Sequence, residues 1–152
     1  MKKLILVIFA LLMLCACNAV DEPFAEVQHE ANEYEEKWGL TLSVKDVTST
    51  GATVVFNQSG GNVGGSLETG SQFFIERYEN GEWVLMEAES EIFWTMVAYL
   101  VSMESETEME TNWEHIYGKL SSGTYRIGKE VSDFCGPGES EKAMFYAEFV
   151  IE

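Results

Sequence analysis

The chain has 152 residues, of which 46% are hydrophobic and 12% aromatic, and its formal net charge is -17. This composition is too apolar for a disordered chain and predicts one packed domain with a short extension. The 26 acidic residues against 9 basic ones disfavour binding to nucleic acid and to anionic lipid headgroups, because both carry negative charge.

The first residues have the pattern of an export signal. Lys2 and Lys3 form a short basic region, and an unbroken apolar run follows from Leu4 to Met13. A run of this length is too short to span a bilayer comfortably as a helix, and the small residue Ala16 comes after it. We therefore expect residues 1–16 to be a signal peptide, with a short transmembrane anchor as the alternative.

The end of the apolar run, Leu14-Cys15-Ala16-Cys17, resembles the bacterial lipobox. The resemblance implies cleavage before Cys17 and attachment of diacylglycerol to its thiol. The protein would then be lipid-anchored at the extracytoplasmic face of the cell membrane. Cys15 is the alternative lipidated residue, but Met13 and Leu14 would then fill positions that normally hold small residues. Lipid chains can anchor an acidic protein, because each buried methylene contributes about 0.8 kcal/mol.

Residues 17–37 are predicted to be an acidic tether between the lipid and the folded domain. An apolar stripe at helical spacing runs through and just beyond them, formed by Phe24, Val27, Ala31, Tyr34 and Trp38. The stripe either rests on the domain that follows or binds a partner. With Cys15 removed and Cys17 lipidated, Cys135 is the one remaining thiol. We therefore expect no internal disulfide and a domain stabilised by its core.

From Gly39 onward the hydrophobic pattern changes to a period of two residues, which indicates β-strands. The predicted strands lie in LTLSVKDV, ATVVFNQ, FFIERY, EWVLME, GTYRIGKEV and AMFYAEFVI. Asn80-Gly81 predicts a tight hairpin, because both residues tolerate positive φ. EIFWTMVAYLV is apolar throughout, and its β-branched and aromatic residues favour a buried strand. Together these patterns predict an all-β antiparallel sandwich over residues 38–152.

A local motif indicates which kind of sandwich this is. Leu120, Gly123 and Tyr125 form the pattern L-x-x-G-x-Y at the entry to a late strand. In immunoglobulin-like sandwiches a tyrosine at this point hydrogen-bonds back to the preceding corner of the chain, which satisfies its buried hydroxyl. The alternative is a surface tyrosine in an ordinary strand.

The order and spacing of these segments are similar to those of the bacterial Ig-like domain family. The similarity is carried by WGLTLSVKDVTSTGATVVFNQSGG, LETGSQFFIERYENGEWVLM, WTMVAYL, NWEHIYGKLSSGTYRIGKEV and FYAEFVI. It implies an Ig-like sandwich that serves as a binding, spacer or sensor module, without catalysis or a bound cofactor. In one departure, Ile127 occupies the position where antibody-type domains have a cysteine, so apolar packing must replace their disulfide.

Glu104, Glu106, Glu108 and Glu110 alternate with uncharged residues, which in a strand places four carboxylates on one face. Such a row protects an exposed strand edge from pairing with another chain. Ca²⁺ also favours carboxylate ligands, although no D-x-D-x-D-G loop is present. We expect a solvated edge and no metal site, with calcium binding as the alternative.

The remaining polar candidates do not indicate catalysis. The glycine-rich stretch 57–71 lacks the lysine and the helix start of a phosphate loop, so a flexible inter-strand loop is expected, with a weak candidate role in contacts. His29 and His115 are far apart and lack a recognisable nucleophile partner, so neither a catalytic triad nor a zinc site is expected. Cys135 is predicted in a Gly/Pro turn, as a bystander or as a site of intermolecular disulfide formation.

The aromatic residues Trp83, Trp94, Trp113 and Tyr99 either belong to the core or form a platform for a sugar. The sequence as a whole predicts a lipid-anchored, non-enzymatic Ig-like module of the cell envelope that binds or presents a protein partner, without a cofactor. The alternatives are a regulatory or stress lipoprotein that modulates a membrane protein, and a module that binds glycan or wall polymer.

Overall fold

The structure, a computed structural model, describes residues 32–89 and 91–152. Two antiparallel sheets pack face to face in this part of the chain, which confirms the predicted Ig-like β-sandwich. In chain order the elements are α1 (Glu33–Trp38), β1 (Leu40–Lys45), β2 (Gly51–Gln58), β3 (Ser66–Thr69), β4 (Phe74–Glu79), β5 (Glu82–Leu85), β6 (Tyr99–Leu100), β7 (Ser105–Asn112), α2 (Glu114–Tyr117), β8 (Gly123–Gly136) and β9 (Glu139–Ile151).

One sheet has three strands, in the order β1-β2-β7, and the other has six. In the larger sheet β8 pairs with β9 along one side and with two strands in succession along the other side. β4 pairs with residues 125–128 of β8, and β3 pairs with residues 131–134. β5 lies beyond β4, and β6 lies beyond β3. The order β1-β2-β7 corresponds to strands A, B and E of an immunoglobulin sandwich.

The hairpin predicted at Asn80-Gly81 is confirmed. Glu79 of β4 lies opposite Glu82 of β5, and the two turn residues have φ angles of 52° and 89°. Positive φ at both central residues gives the turn a twist that matches the twist of the strands on either side. The two-residue loop therefore fixes the register of this hairpin.

Helix α1 ends inside the core. Asn32 caps the helix, because its side-chain oxygen accepts hydrogen bonds from the backbone N–H groups of Tyr34 and Glu35. Trp38, the last helical residue, is fully buried and stacks on Phe145 of β9, with 5.8 Å between ring centroids. This end of the predicted apolar stripe therefore rests on the domain, while Phe24, Val27 and Ala31 lie outside the described residues. Neither described helix is long and apolar enough to cross a membrane.

A charged contact also holds α1 to β9. The Lys37 ammonium lies 2.5 Å from the carboxylate of Glu141, which also accepts a hydrogen bond from the Tyr34 hydroxyl. The hydrogen bond between Lys37 and Glu141 raises the pKa of the lysine and lowers the pKa of the carboxyl. Both side chains are about 44% exposed, so the pair contributes little to stability. Tyr34 and Lys37, which belong to the predicted tether, therefore contact the folded domain.

Stacked aromatic rings form much of the core between the two sheets. Trp113 and Tyr125 both stack on Phe149 of β9, with centroid distances of 5.3 and 5.7 Å. Ile127 is fully buried in the same cluster, at the position where antibody-type domains have a disulfide cysteine. Burial of such an aliphatic side chain stabilises the fold by roughly 1.5–3 kcal/mol. Apolar packing therefore takes the place of the disulfide at this position.

The prediction that EIFWTMVAYLV forms a buried strand is wrong. Within it only Tyr99 and Leu100 form a strand, which pairs with β3. Ile92 and Trp94 pack against the core, whereas Phe93 is 87% exposed. The run supplies apolar side chains, but a strand also needs a backbone partner, and this segment crosses from one sheet to the other. We call residues 91–103 the crossing segment.

The glycine-rich stretch 57–71 is not a single flexible loop. Its first two residues belong to β2 and residues 66–69 form β3, and the backbone between these strands is held by hydrogen bonds. The N–H groups of Gly64 and Gly65 donate to the buried carboxylate of Asp133, at 2.7 and 2.8 Å. A Cβ on Gly61, which has a φ of 72°, would overlap the backbone of Trp38 and Gly39. The glycines therefore permit close packing of this connection against the domain.

A lysine is buried where β8 changes partner from β4 to β3. Lys129 is 1% exposed, and its ammonium donates to the carbonyl oxygens of Gly70 and Gln72 at 2.5 and 2.9 Å. The two carbonyl groups belong to the connection between β3 and β4, whose backbone is not paired with β8. Burial lowers the pKa of Lys129 from 10.5 to about 8. The lysine thus satisfies polar backbone groups at the interruption, but its own charge is desolvated.

Candidate functional site

A groove opens at one edge of the sandwich, between the crossing segment and strand β7. It has a volume of about 840 Å³. Its floor includes Phe73 and Ile116, core residues that are only 7% and 2% exposed, so the groove extends down to the hydrophobic core. The lining residues are Ser71, Phe73, Phe93, Trp94, Thr95, Ala98, Tyr99, Leu100, Thr107, Glu108, Met109, Glu110, Thr111, Asn112, His115 and Ile116.

The crossing segment supplies an apolar wall with many exposed side chains. Phe93 and Leu100, which line the groove, are 87% and 65% exposed, and the neighbouring Met96 is fully exposed. Isolated exposed apolar residues are common, but contiguous ones indicate an interaction surface. Hydrogen bonds hold the segment at two points, since Ser71 accepts from the Thr95 hydroxyl and Ser102 donates its N–H to the Thr107 hydroxyl.

Strand β7 forms the opposite wall. It pairs with β2 on one side, and among the described residues no strand pairs with it on the side towards the groove. Thr107, Met109 and Thr111 face the interior, and alternate residues face solvent. The open backbone edge of β7 therefore lies beside an apolar cavity, which is unusual because exposed edges tend to pair with other chains.

The groove has two carboxylates at its rim. The sequence from residue 82 to 118, which contains the crossing segment and β7, has nine glutamates and no lysine or arginine, and two of these glutamates line the groove. Glu108 and Glu110 line the groove, and Lys45 of β1 lies 2.6 Å from the carboxylate of Glu108. The hydrogen bond to Glu108 raises the pKa of Lys45. An apolar cavity with a negative rim favours a ligand that combines apolar and positively charged groups.

The predicted row of four carboxylates is only partly present. Glu106, Glu108 and Glu110 are exposed on the outer face of β7, but Glu104 precedes the strand with a φ of 49°. Its backbone N–H donates to the Gln58 side chain at 2.6 Å, and its carboxylate accepts from a glycine N–H. Among residues 32–89 and 91–152, no three histidine, cysteine or acidic side chains are grouped to hold a metal ion. The calcium alternative therefore has no ligand cluster there.

The residues of the predicted tyrosine corner lie together at the entry to β8. Tyr125 is 1% exposed, and its hydroxyl donates to the backbone carbonyl of Ser121 at 2.9 Å. Leu120 is buried in the core, and Gly123 begins the strand with a φ of 159°. The hydrogen bond closes the turn that precedes β8, so these residues support the fold and lie outside the groove lining.

Cys135 is not among the residues that line the groove. Cys17, the predicted lipidation site, lies outside the described residues. Cys135 is an exposed, unpaired thiol near the end of β8, beside an irregularity in its pairing with β9. The prediction that Cys135 lies in the Gly/Pro turn is therefore wrong. Cys135 belongs to β8, which ends at Gly136, and the turn begins after that residue.

The four aromatic residues proposed for a sugar platform are dispersed. Trp113 is fully buried in the core, and Trp94 packs edge-on against Phe73 in the groove. Trp83 lies on the larger sheet, where the Arg126 guanidinium is 4.5 Å from its ring. Tyr99 is 42% exposed and lines the groove. These residues therefore do not form one sugar-binding surface. Of the two histidines, His115 lines the groove and His29 lies outside the described residues.

The family comparison agrees with the architecture. A sequence model of the bacterial Ig-like domain matches residues 36–150, nearly the whole described region. The chain belongs to the bacterial Ig-like domain family. The resemblance found in the sequence is thereby confirmed. Comparisons with curated proteins and with solved structures gave no match. The Ig-like domain suggests an extracellular module for binding or adhesion, and the family is typically non-catalytic.

The groove of this Ig-like domain was not predicted from the sequence. The crossing segment was interpreted as a buried strand, which would have paired its backbone and hidden its side chains. One signal was available, because the segment is apolar on every face and so matches no half-buried strand. The position of the crossing segment beside β7 depends on strand pairings between residues that are distant in the sequence. Hydrophobic periodicity does not reveal such pairings.

Proposed function

We propose that this protein is a non-enzymatic Ig-like module, lipid-anchored through Cys17 at the extracytoplasmic face of the cell membrane, that binds a protein partner through the groove. Membership of the bacterial Ig-like domain family supports a binding role. The groove is the observation that carries this proposal, because exposed apolar side chains lie there beside an open strand edge. An apolar floor with a charged rim is the usual composition of a protein-binding surface.

The anchor and the partner require separate tests. Membrane fractionation of cells that express Cys17→Ala should release the protein into the soluble fraction, whereas Cys15→Ala should leave it attached. The opposite pattern would assign the lipid to Cys15. Release by neither substitution would argue for the transmembrane alternative.

The partner is tested by photo-crosslinking in cells, with a photoreactive amino acid at Met96 of the crossing segment. The matched control carries the same amino acid at Ser43, an exposed position on β1. We expect a discrete crosslinked protein from position 96 and none from position 43. A captured membrane protein would favour the regulatory alternative within this proposal. Equal capture from both positions, or capture of glycan alone, would contradict the assignment of the groove.

A further inference from the structure

In the part of the chain that the structure describes, no strand of the smaller sheet lies beside β7 on the groove side. Its strands β1, β2 and β7 correspond to A, B and E of an immunoglobulin sandwich, and in constant-type domains a fourth strand, D, completes this sheet beside E. The chain between β5 and β7 contains the crossing segment, which pairs with β3 of the larger sheet instead. The groove therefore lies at the position of the fourth strand, with core residues at its floor.

We propose that an extended, cationic segment of the partner protein enters the groove and pairs with β7 as the fourth strand of the smaller sheet. This inference rests on the proposed function, because it names the chemistry of the partner at the same groove. Strand addition suits an open edge, since backbone hydrogen bonds supply affinity and alternate side chains enter a pocket.

The dimensions fit a short strand. The residues of β7 that line the groove run from Thr107 to Asn112. Six residues at about 3.4 Å each give a wall of about 20 Å. An added strand would direct every second side chain toward Phe73, Met109 and Ile116, so apolar residues are required at those positions. The intervening side chains would face solvent beside Glu108 and Glu110.

The negative charge at the groove determines which kind of segment can bind there. Glu108 and Glu110, which line the groove, favour lysine or arginine at the outward positions of the added strand. A second copy of this chain would bring a further net charge of -17 to an acidic edge, so self-pairing is disfavoured. The partner segment is therefore expected to alternate apolar and basic residues over about six positions.

A defined peptide tests this inference on the lipidated protein that begins at Cys17, held in nanodiscs of zwitterionic lipid. The probe is a labelled ten-residue peptide of alternating valine and lysine, and binding is followed by fluorescence anisotropy. One control peptide has the same composition with five valines followed by five lysines. A second control peptide has a methyl group on every other backbone nitrogen, so that one edge of the strand cannot donate hydrogen bonds. It is made in two versions, one for each edge. We expect at least about tenfold weaker binding of both controls, because they lose alternation or backbone hydrogen bonds.

Variants locate the peptide on the protein. Ala98→Trp places a large ring in the groove and should abolish binding, while Ala88→Trp, at an exposed site outside the lining, should not. Neutralising Glu108 and Glu110 to glutamine should weaken binding several-fold at low salt, and the same change at Glu36 and Glu139, which are exposed and outside the groove lining, should have less effect. Hydrogen exchange should show new protection of amides in residues 107–111.

Equal binding of the methylated and unmethylated peptides would overturn strand addition, and so would an unchanged affinity of the Ala98→Trp variant. A glutamate-for-lysine peptide that binds as tightly as the cationic one would overturn the charge assignment. If these results came together with a protein crosslinked from Met96, the proposed function would stand and only this inference would fall. Concentration-dependent dimers that exclude the peptide would assign the groove to a second copy.

Discussion

Lys129 should make the stability of this domain depend on pH in an alkaline window. The folded protein releases the proton of this lysine near pH 8, because burial lowers the pKa to about 8, whereas the unfolded chain keeps it until about pH 10.5. Between these values the unfolded state binds more protons than the folded state. The free energy of unfolding therefore rises as the pH increases through this window and falls again as the pH returns toward 8.

The size of the effect follows from the difference between the two pKa values. The shift from 10.5 to about 8 is about 2.5 units, which corresponds to about 3 kcal/mol over the whole window. Between pH 7 and pH 9.5 the expected gain in the free energy of unfolding is about 2 kcal/mol. The side chain is 1% exposed, so screening by solvent does not reduce this value greatly.

The assay is urea unfolding of the wild type and of Lys129→Met, followed by tryptophan fluorescence at several pH values in this range. Methionine keeps an unbranched side chain but binds no proton, so the wild type should gain about 2 kcal/mol relative to the variant. Lys119→Met is the matched control, since the Lys119 side chain is 71% exposed, and its pH dependence should follow the wild type. Parallel curves for the wild type and Lys129→Met would refute the reasoning. Hydrogen bonds to Glu141 and Glu108 raise the pKa values of Lys37 and Lys45, and both lysines are present in the wild type and in the variants, so their contribution cancels in the comparison.

Three further substitutions, measured by urea unfolding, should distinguish residues that stabilise the fold from an exposed residue that does not. Tyr125→Phe removes the hydrogen bond to Ser121 and should cost about 1 kcal/mol, whereas an unchanged stability would mean that the bond makes no net contribution. Asp133→Asn leaves one glycine N–H of the β2–β3 connection without an acceptor and should cost about 2 kcal/mol, unless the connection rearranges without loss. Met96→Ser should change stability by less than about 0.5 kcal/mol, and a larger loss would contradict the exposure of this side chain.

Local patterns predicted most of the fold because they arise from local physics. Period-two alternation located β1, β2, β8 and β9, since each has one face against the core. Asn80-Gly81 located a hairpin through its backbone preference alone. Lys129 lies on the inner face of β8, in step with Tyr125 and Ile127, and alternation does assign it there. Its carbonyl partners come from a connection about 58 residues earlier, so the sequence does not reveal why a lysine is tolerated.

The candidate groove could not be predicted from the sequence, because it also depends on contacts between residues that are distant in the chain. Periodicity states whether a segment can bury one face, but it does not state which backbone will pair with it. In the crossing segment, the strand-forming composition was correct for Tyr99 and Leu100 and wrong for most of the preceding residues, because only β3 offers them a partner. The open edge of β7 appears only when both sheets are assembled.

The long-range pairing of the strands has a consequence for the time the chain needs to fold. Pairings of β7 with β2, and of β8 with β3 and β4, join residues that are 47 positions apart, as for Gln58 and Ser105, up to 68 apart, as for Ser66 and Phe134. Each of these pairings must close a long loop before its contacts are gained, so folding is expected on a scale of milliseconds to seconds. Only the β8–β9 hairpin and the other local hairpins can form early. During this interval the apolar crossing segment is unprotected, and the glutamates on either side of it limit self-association by repulsion.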